Sequence, residues 1–449
     1  MRNNLLRLRA LRLGPALMRA RITALIAALM ATVVLAEGDE PANTSKHLGV
    51  ASCAASTCHG RVSPSENSAV ALNEYFIWSK YDRHSQAYQI LHNDWSRRIA
   101  TNMGIKDAAT ATQCLTCHTD FVPPEQQGER FHMTDGIGCE ACHGGAETWI
   151  DSHYGPNATA AENRENGLNP TEKPLFQARM CQSCHLGDED RFVTHEMMAA
   201  GHPRLRFELD TWLVNMPPHH VEDEDYRVRK GAINGVDRWI AGLVSGSKDY
   251  LDTLLKHIGG DSLVPELALF DCHACHRPIN TAVQRSAKDR SMMPAGTLRP
   301  NDHALHMLAI VLNLRDPQSA RALAAANDDL HGAIAKSQSR FLASVRRLHD
   351  IVNRTSKLVT ENPLSNLERA QLNTALLQAA ANGDFRDYGD AEQLYLALQL
   401  LAEQQSLPQA ANRYDRLFKL LDSEQSFNPR RVAAEAKRLL SNLKNRSNS

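Results

Sequence analysis

Five times in this chain a pair of cysteines is followed at once by a histidine, and that recurrence limits the fold more than any other feature. Four copies place two residues between the cysteines: Cys114-Leu-Thr-Cys117-His118, Cys139-Glu-Ala-Cys142-His143, Cys181-Gln-Ser-Cys184-His185 and Cys272-His-Ala-Cys275-His276. The copy nearest the N-terminus is wider, Cys53-Ala-Ala-Ser-Thr-Cys58-His59. All 10 cysteines are consumed in these pairs. Zinc ribbons and disulfide frameworks also use paired cysteines, but neither requires a histidine after every pair. Two thiols on one side of a helical turn can bond both vinyl groups of a single porphyrin. The histidine next in line then faces the iron as its proximal ligand. The spacing therefore predicts five covalent haems c. Their attachment residues are Cys53, Cys58, Cys114, Cys117, Cys139, Cys142, Cys181, Cys184, Cys272 and Cys275, and their proximal ligands are His59, His118, His143, His185 and His276.

A low-spin haem that only passes electrons needs a second strong ligand, whereas one that activates a substrate keeps that position open. Of the 20 histidines, fifteen lie outside the motif positions. His84, His153, His195 and His202 are the leading candidates for sixth ligands. His84 sits among aromatic residues that could stack on porphyrin, and His153 follows the third motif closely enough to be delivered locally. His195 and His202 lie seven apart in Thr194–Pro203, which reads as one helix ended by Gly201 and Pro203. The proline restrains the backbone after His202, and restraint favours a residue that must hold a metal. His47, leading into the first motif, and His303, the first histidine after the last, are added on position. His132 and His306 are weaker candidates. His219, His220, His331 and His349 read as surface residues, and His273 is confined inside a motif. Met197, Met198, Met292 and Met293 read as packing.

The formal net charge of −1 by itself suggests nothing about nucleic acid; the acidic balance left without the first 36 residues is what argues against it as a partner. The first 36 residues hold six arginines and no acid, followed by a short apolar run from Ile22 to Leu35 that ends at Ala36. This pattern predicts a secretory signal peptide over 1–36, cleaved near Ala36, and hence a periplasmic protein. An uncleaved N-terminal anchor, with peripheral membrane association, is the alternative. Without those residues, 44 basic side chains face 51 acidic ones, so redox partners with basic docking faces are expected.

The haem motifs end well before the chain does. Residues 37–296 are read as the haem-bearing domain, with little regular strand, and 297–449 as a haem-free helical domain. In the latter Phe341, Val345, Leu348 and Val352 recur at helical spacing, as do Leu394, Leu398 and Leu401. Ser365 with Glu368 fits a capping box, and Asn428-Pro429 fits an N-cap followed by proline. Five to seven amphipathic helices in antiparallel hairpins are expected there. The fold class is mainly α: a multihaem core followed by a helical bundle.

Several stretches resemble the cytochrome c-554 family of multihaem cytochromes. They are Trp78-x5-His84-x2-Ala87-Tyr88, the paired motifs at Cys114 and Cys139, Gly138-Cys-Glu-Ala-Cys-His-Gly144, and the later His153. Ala200–Glu208 and Phe270–His276 resemble larger relatives of that family. The resemblance implies a helical fold, haems in close pairs, mainly bis-histidine ligation, and electron exchange with other cytochromes or a quinol-linked oxidoreductase. Five motifs, the wide first motif and the helical tail depart from the family pattern. A haem enzyme with one open site, acting on a small nitrogen or sulfur compound, is the competing reading. Pentahaem nitrite reductases carry lysine in place of one motif histidine; all five motifs here end in histidine, which favours electron transfer.

Overall fold

A computed structural model of the protein describes residues 45–63, 71–220, 222–231, 234–258, 265–272, 275–276, 298–334, 336–404 and 412–447. The expected signal peptide lies outside the described residues, as do His273, Met292 and Met293. The described residues are mainly α-helical, with two isolated β-bridges, His47 to Gln127 and Phe270 to Pro300, and no sheet among them.

Nine short helices carry the first half: α1 Glu74–Tyr81, α2 Asp94–Asn102, α3 Thr112–His118, α4 Cys139–His143, α5 Ala160–Glu165, α6 Pro174–His185, α7 His195–Ala200, α8 Leu209–Asn215 and α9 Glu224–Lys230. Side-chain caps start several of them. Asn93 accepts from the Ser96 amide at 2.7 Å, Thr194 from Met197 at 3.1 Å and Asp223 from Tyr226 at 2.8 Å. Gly231, whose φ is 86°, ends α9 after Lys230.

This half buries few apolar side chains of its own. They form one cluster around Leu91, Ala100 and Leu115 and another of Ala178, Leu209 and Ala241. Clusters of that size fall well short of the entropy of ordering so long a segment. Covalently attached porphyrins would add large apolar faces to the interior, so the sparse core fits a chain built around them.

The second half is a helical bundle of α10 Gly235–Ile258, α11 His303–Leu312, α12 Pro317–Ile334, α13 Gln338–Thr360, α14 Asn366–Asn382, α15 Tyr388–Gln404, α16 Asp415–Lys419 and α17 Pro429–Ser447. The capping box at Ser365 and Glu368 is present in both directions, and Asn428 caps the helix that begins at Pro429. Seven described helices thus follow residue 297, the upper end of the expected range. The core does not divide at residue 296, however. Trp239, Ile240, Leu251 and Leu254 of α10 are buried in one cluster with Leu308 of α11, Leu348 of α13 and Leu398 of α15. The apolar stripe of α10 thus faces helices that come after the last motif. Its other side receives α6, where the buried Gln182 donates to the Gly242 carbonyl at 3.0 Å.

One ion pair in the bundle sets a pH dependence. His306 Nδ1 lies 3.1 Å from Asp390 Oδ1. Burial works against the imidazolium, but the charge and hydrogen bond of Asp390 outweigh it and raise the group to about 9. The folded value exceeds the unfolded one of about 6.5, so this contribution is fully present below that pH. It is lost as pH rises through about 9. The melting temperature should therefore fall between pH 7 and 10, and His306→Gln should flatten that part of the curve.

Candidate haem sites

Three motifs close complete helical turns: α3 ends at His118, α4 at His143 and α6 at His185. The fifth makes a turn in which the His276 amide donates to the Cys272 carbonyl at 2.7 Å. The wide first motif also folds back, with the His59 amide 3.1 Å from the Cys53 carbonyl. Its extra residues lengthen the turn without separating its ends. All ten cysteines stand as thiols rather than disulfides.

Long-range packing brings a second histidine to four of the motifs. Ring centroids are 6.2 Å apart for His59 and His153, 5.9 Å for His84 and His185, 6.4 Å for His143 and His219, and 6.2 Å for His195 and His276. An iron held by two imidazole nitrogens at about 2 Å each would separate the ring centroids by roughly 6 Å. Four pairs therefore stand at the spacing that an axially ligated iron requires. For the second motif, burial lowers the pKa of His118, and the charge of His202 adds to that lowering.

Burial lowers the pKa of His118, His143, His153, His185 and His219, whereas the carboxylates of Glu74 and Asp82 raise those of His59 and His84. Burial pushes His143 down to about 4, and burial with the neighbouring charge of His84 does the same to His185. Imidazoles so shifted are neutral at pH 7, and neutral imidazole is the form that binds metal. Their outer nitrogens are anchored in several ways. Nδ1 of His118 meets the Ala87 carbonyl at 2.9 Å, that of His153 the Ile150 carbonyl at 2.7 Å, and that of His202 the Pro203 carbonyl at 2.8 Å. Each such contact leaves Nε2 directed at the site.

Local backbone explains how the partners arrive. The His84 carbonyl accepts from the Ile137 amide at 3.0 Å, and the Trp78 indole donates to the Ile137 carbonyl at 2.9 Å. The chain can approach there because residue 136 is glycine: its φ is 78°, and an added Cβ would lie 2.6 Å from the His84 carbonyl oxygen. That glycine thus admits a neighbouring backbone. Gly201 decides His195 and His202. With φ of 119° it ends α7 at Ala200 and turns the chain, and the His202 amide closes onto the Met197 carbonyl at 2.9 Å. The two histidines therefore do not share a helix face as expected. They leave opposite ends of α7, His195 for His276, while the charge of His202 is felt at His118.

The motifs also approach one another. Cys53 lies against Cys139, and Cys117 against Cys184, each within reach of a side-chain hydrogen bond. The first motif is thereby paired with the third, and the second with the fourth. Phe207 stacks on His185 at 4.8 Å and Trp212 flanks it at 5.3 Å.

Two expected ligands go elsewhere. His47 is buried with Nδ1 2.7 Å from Asp120 and its ring edge-on to Phe131, and it helps join the N-terminal segment to the stretch that follows the second motif. His303 is enclosed in the helical bundle, 2.9 Å from the Asn301 side chain. Position in the chain suggested both, but neither is folded toward a motif. In their place His219, expected on the surface, is half-buried beside His143. Its sequence did carry a signal: Pro217-Pro218 restrains the backbone just before it, as Pro203 does just after His202.

Comparison with known proteins agrees with this geometry. Residues 52–144, spanning the first three motifs, match the family model for cytochrome c554 and c-prime. A stretch of 102 residues is 29% identical to the C-type polyheme cytochrome OmcC of Geobacter sulfurreducens, covering 20% of this chain and 11% of that one. The chain thus spans about a tenth of the length of that curated relative. No solved structure matches it. The likenesses are to multihaem c-type cytochromes, which hold haem covalently and transfer electrons.

Proposed function

We propose that this multihaem c-type cytochrome carries electrons in the periplasm along a chain of five covalently bound, mostly bis-histidine haems. One observation supports it above all: four of the five motif histidines have a second histidine beside them, at 5.9 to 6.4 Å. Bound haem supplies a one-electron couple whose potential depends on axial ligands and burial. The protein's residues do the rest. The cysteines fix each porphyrin to a turn of chain, and the partner histidines occupy the sixth positions. The Cys53–Cys139 and Cys117–Cys184 contacts hold neighbouring sites close.

An enzyme would keep one sixth position for its substrate. Four partner imidazoles at ligation spacing favour transfer over catalysis. Export is supported by the basic and then apolar N-terminal segment and by the use of haem c. The acidic balance after residue 36 favours partners with basic faces, other cytochromes or a quinol-linked oxidoreductase. Among the described residues no helix is long and apolar enough to cross a membrane. The helices after 297 are proposed as a haem-free part that packs on α10 and offers a docking surface.

Intact-protein mass and electron paramagnetic resonance test the reading together. Five haem masses on a chain beginning at Glu37, all low-spin when oxidised, are the expected result. Four haems would remove the wide Cys53–Cys58 site, and a high-spin haem that takes carbon monoxide in the unaltered protein would favour the enzyme.

A further inference from the structure

The imidazoles paired at the motifs differ in what backs them, and two of those in the described residues meet carboxylates. Those of His118, His153 and His202 meet backbone carbonyls. The rings of His143 and His219 face each other, and His185 is covered by Phe207 and Trp212. His59 and His84 instead meet carboxylates: Glu74 Oε2 lies 2.9 Å from His59 Nδ1, and Asp82 Oδ1 lies 3.0 Å from His84 Nδ1. Both carboxylates are well shielded, their side chains 18% and 13% exposed, so solvent screens them little.

Both are also held in place. Glu74 and Asp82 bracket α1, one opening it and the other following its last residue. The second oxygen of Glu74 accepts from the Leu72 amide at 3.2 Å. Leu72 has φ of 58°, the described non-glycine residue in the left-handed region. A leucine there is strained, and such strain persists where surrounding structure enforces it. Asp82 accepts from the His84 amide at 3.0 Å while its own amide closes α1. Another buried carboxylate near the sites, Glu140, is used differently: it accepts from the backbone amides of Leu48, Gly49 and Ala146 and faces no axial ring.

We propose that Glu74 and Asp82 are positioning residues that set redox potential, making the haems on His59/His153 and His84/His185 the two hardest to reduce. The inference rests on the bis-histidine reading above. A carboxylate on Nδ1–H makes a charge-assisted bond that raises the basicity of Nε2. A more basic ligand stabilises the ferric over the ferrous iron, and a carbonyl does so less. One short helix thereby lowers the potential of the first site from its start and of the fourth from its end.

The holoprotein tests this in a spectroelectrochemical titration. Glu74→Gln and Asp82→Asn should each shift one haem's reduction equilibrium at least tenfold toward ferrous, about 59 mV for a one-electron couple, and move the other four less. The low-spin count should stay constant and Glu74→Asp should restore much of the effect, neither of which a merely structural residue predicts. If both variants fail to take up haem, the unaltered protein still decides. The rings of His59 and His153 lie at 15° and those of His84 and His185 at 83°, and near-parallel and crossed imidazoles give different low-spin ferric spectra. The last two haems to reduce should be one of each kind. Two of one kind, or variants with unchanged potentials, would overturn the proposal. A native protein lacking five low-spin haems would instead overturn the function it rests on.

Discussion

Replacing His219 by Ala should convert one of five low-spin haems, the one on Cys139 and Cys142, to a five-coordinate site that binds carbon monoxide. The His219 ring stands 6.4 Å from that of His143 at 88°, and burial lowers its pKa, so it is a neutral ligand at pH 7. Losing it removes about a fifth of the low-spin signal and leaves the covalent attachment intact. The neighbour is the control. His220 is exposed and stacks on Tyr226 at 5.2 Å, so His220→Ala should leave the spectrum unchanged. An unaltered low-spin count in the His219 variant would return that residue to the surface and leave His143 without this partner.

Truncation should have the largest effect on stability. Removing residues 297–449 would uncover Val236, Trp239, Ile240, Leu243, Val244, Leu251 and Leu254 on α10, all 4% exposed or less in the full chain. At about 1.5–3 kcal/mol for each large apolar side chain, the loss is about 10–20 kcal/mol, as large as the 5–15 kcal/mol that stabilises a typical domain. The damage should reach the fourth motif, because α6 rests on α10 through Gln182 and the Ala178–Leu209–Ala241 contact. A chain of residues 37–296 alone should be aggregated or short of haem at Cys181 and Cys184. A soluble fragment with five haems and an unchanged spectrum would show instead that the cofactors alone hold the first half.

These two outcomes depend on different kinds of information. The attachment sites were legible because thioether spacing is local: Cys114 and Cys117 reach one porphyrin from a single helical turn, and His118 follows them on the same turn. The helical tail was legible for a similar reason, since 3.6-residue periodicity and caps such as Ser365 with Glu368 act within a few residues. The first histidine of the pair at 219 and 220 was not, because its burial depends on a wall that includes His143, far back in the chain.

Sequence by itself therefore determined which residues can bond a porphyrin, and through the periodicity of its apolar residues that the fold would be helical. Tertiary structure decided which histidine completes each site. His153, close after the third motif, serves the first, while His195 and His202 part company because Gly201 turns the chain left-handed between them. It also decided that α10 shares its core with the tail, because a helix buried on several faces carries a pattern that does not say which neighbours cover it. Covalent chemistry and helix formation are fixed by near neighbours in the chain. A sixth ligand and a shared core depend on distant segments meeting, and no local spacing encodes that encounter.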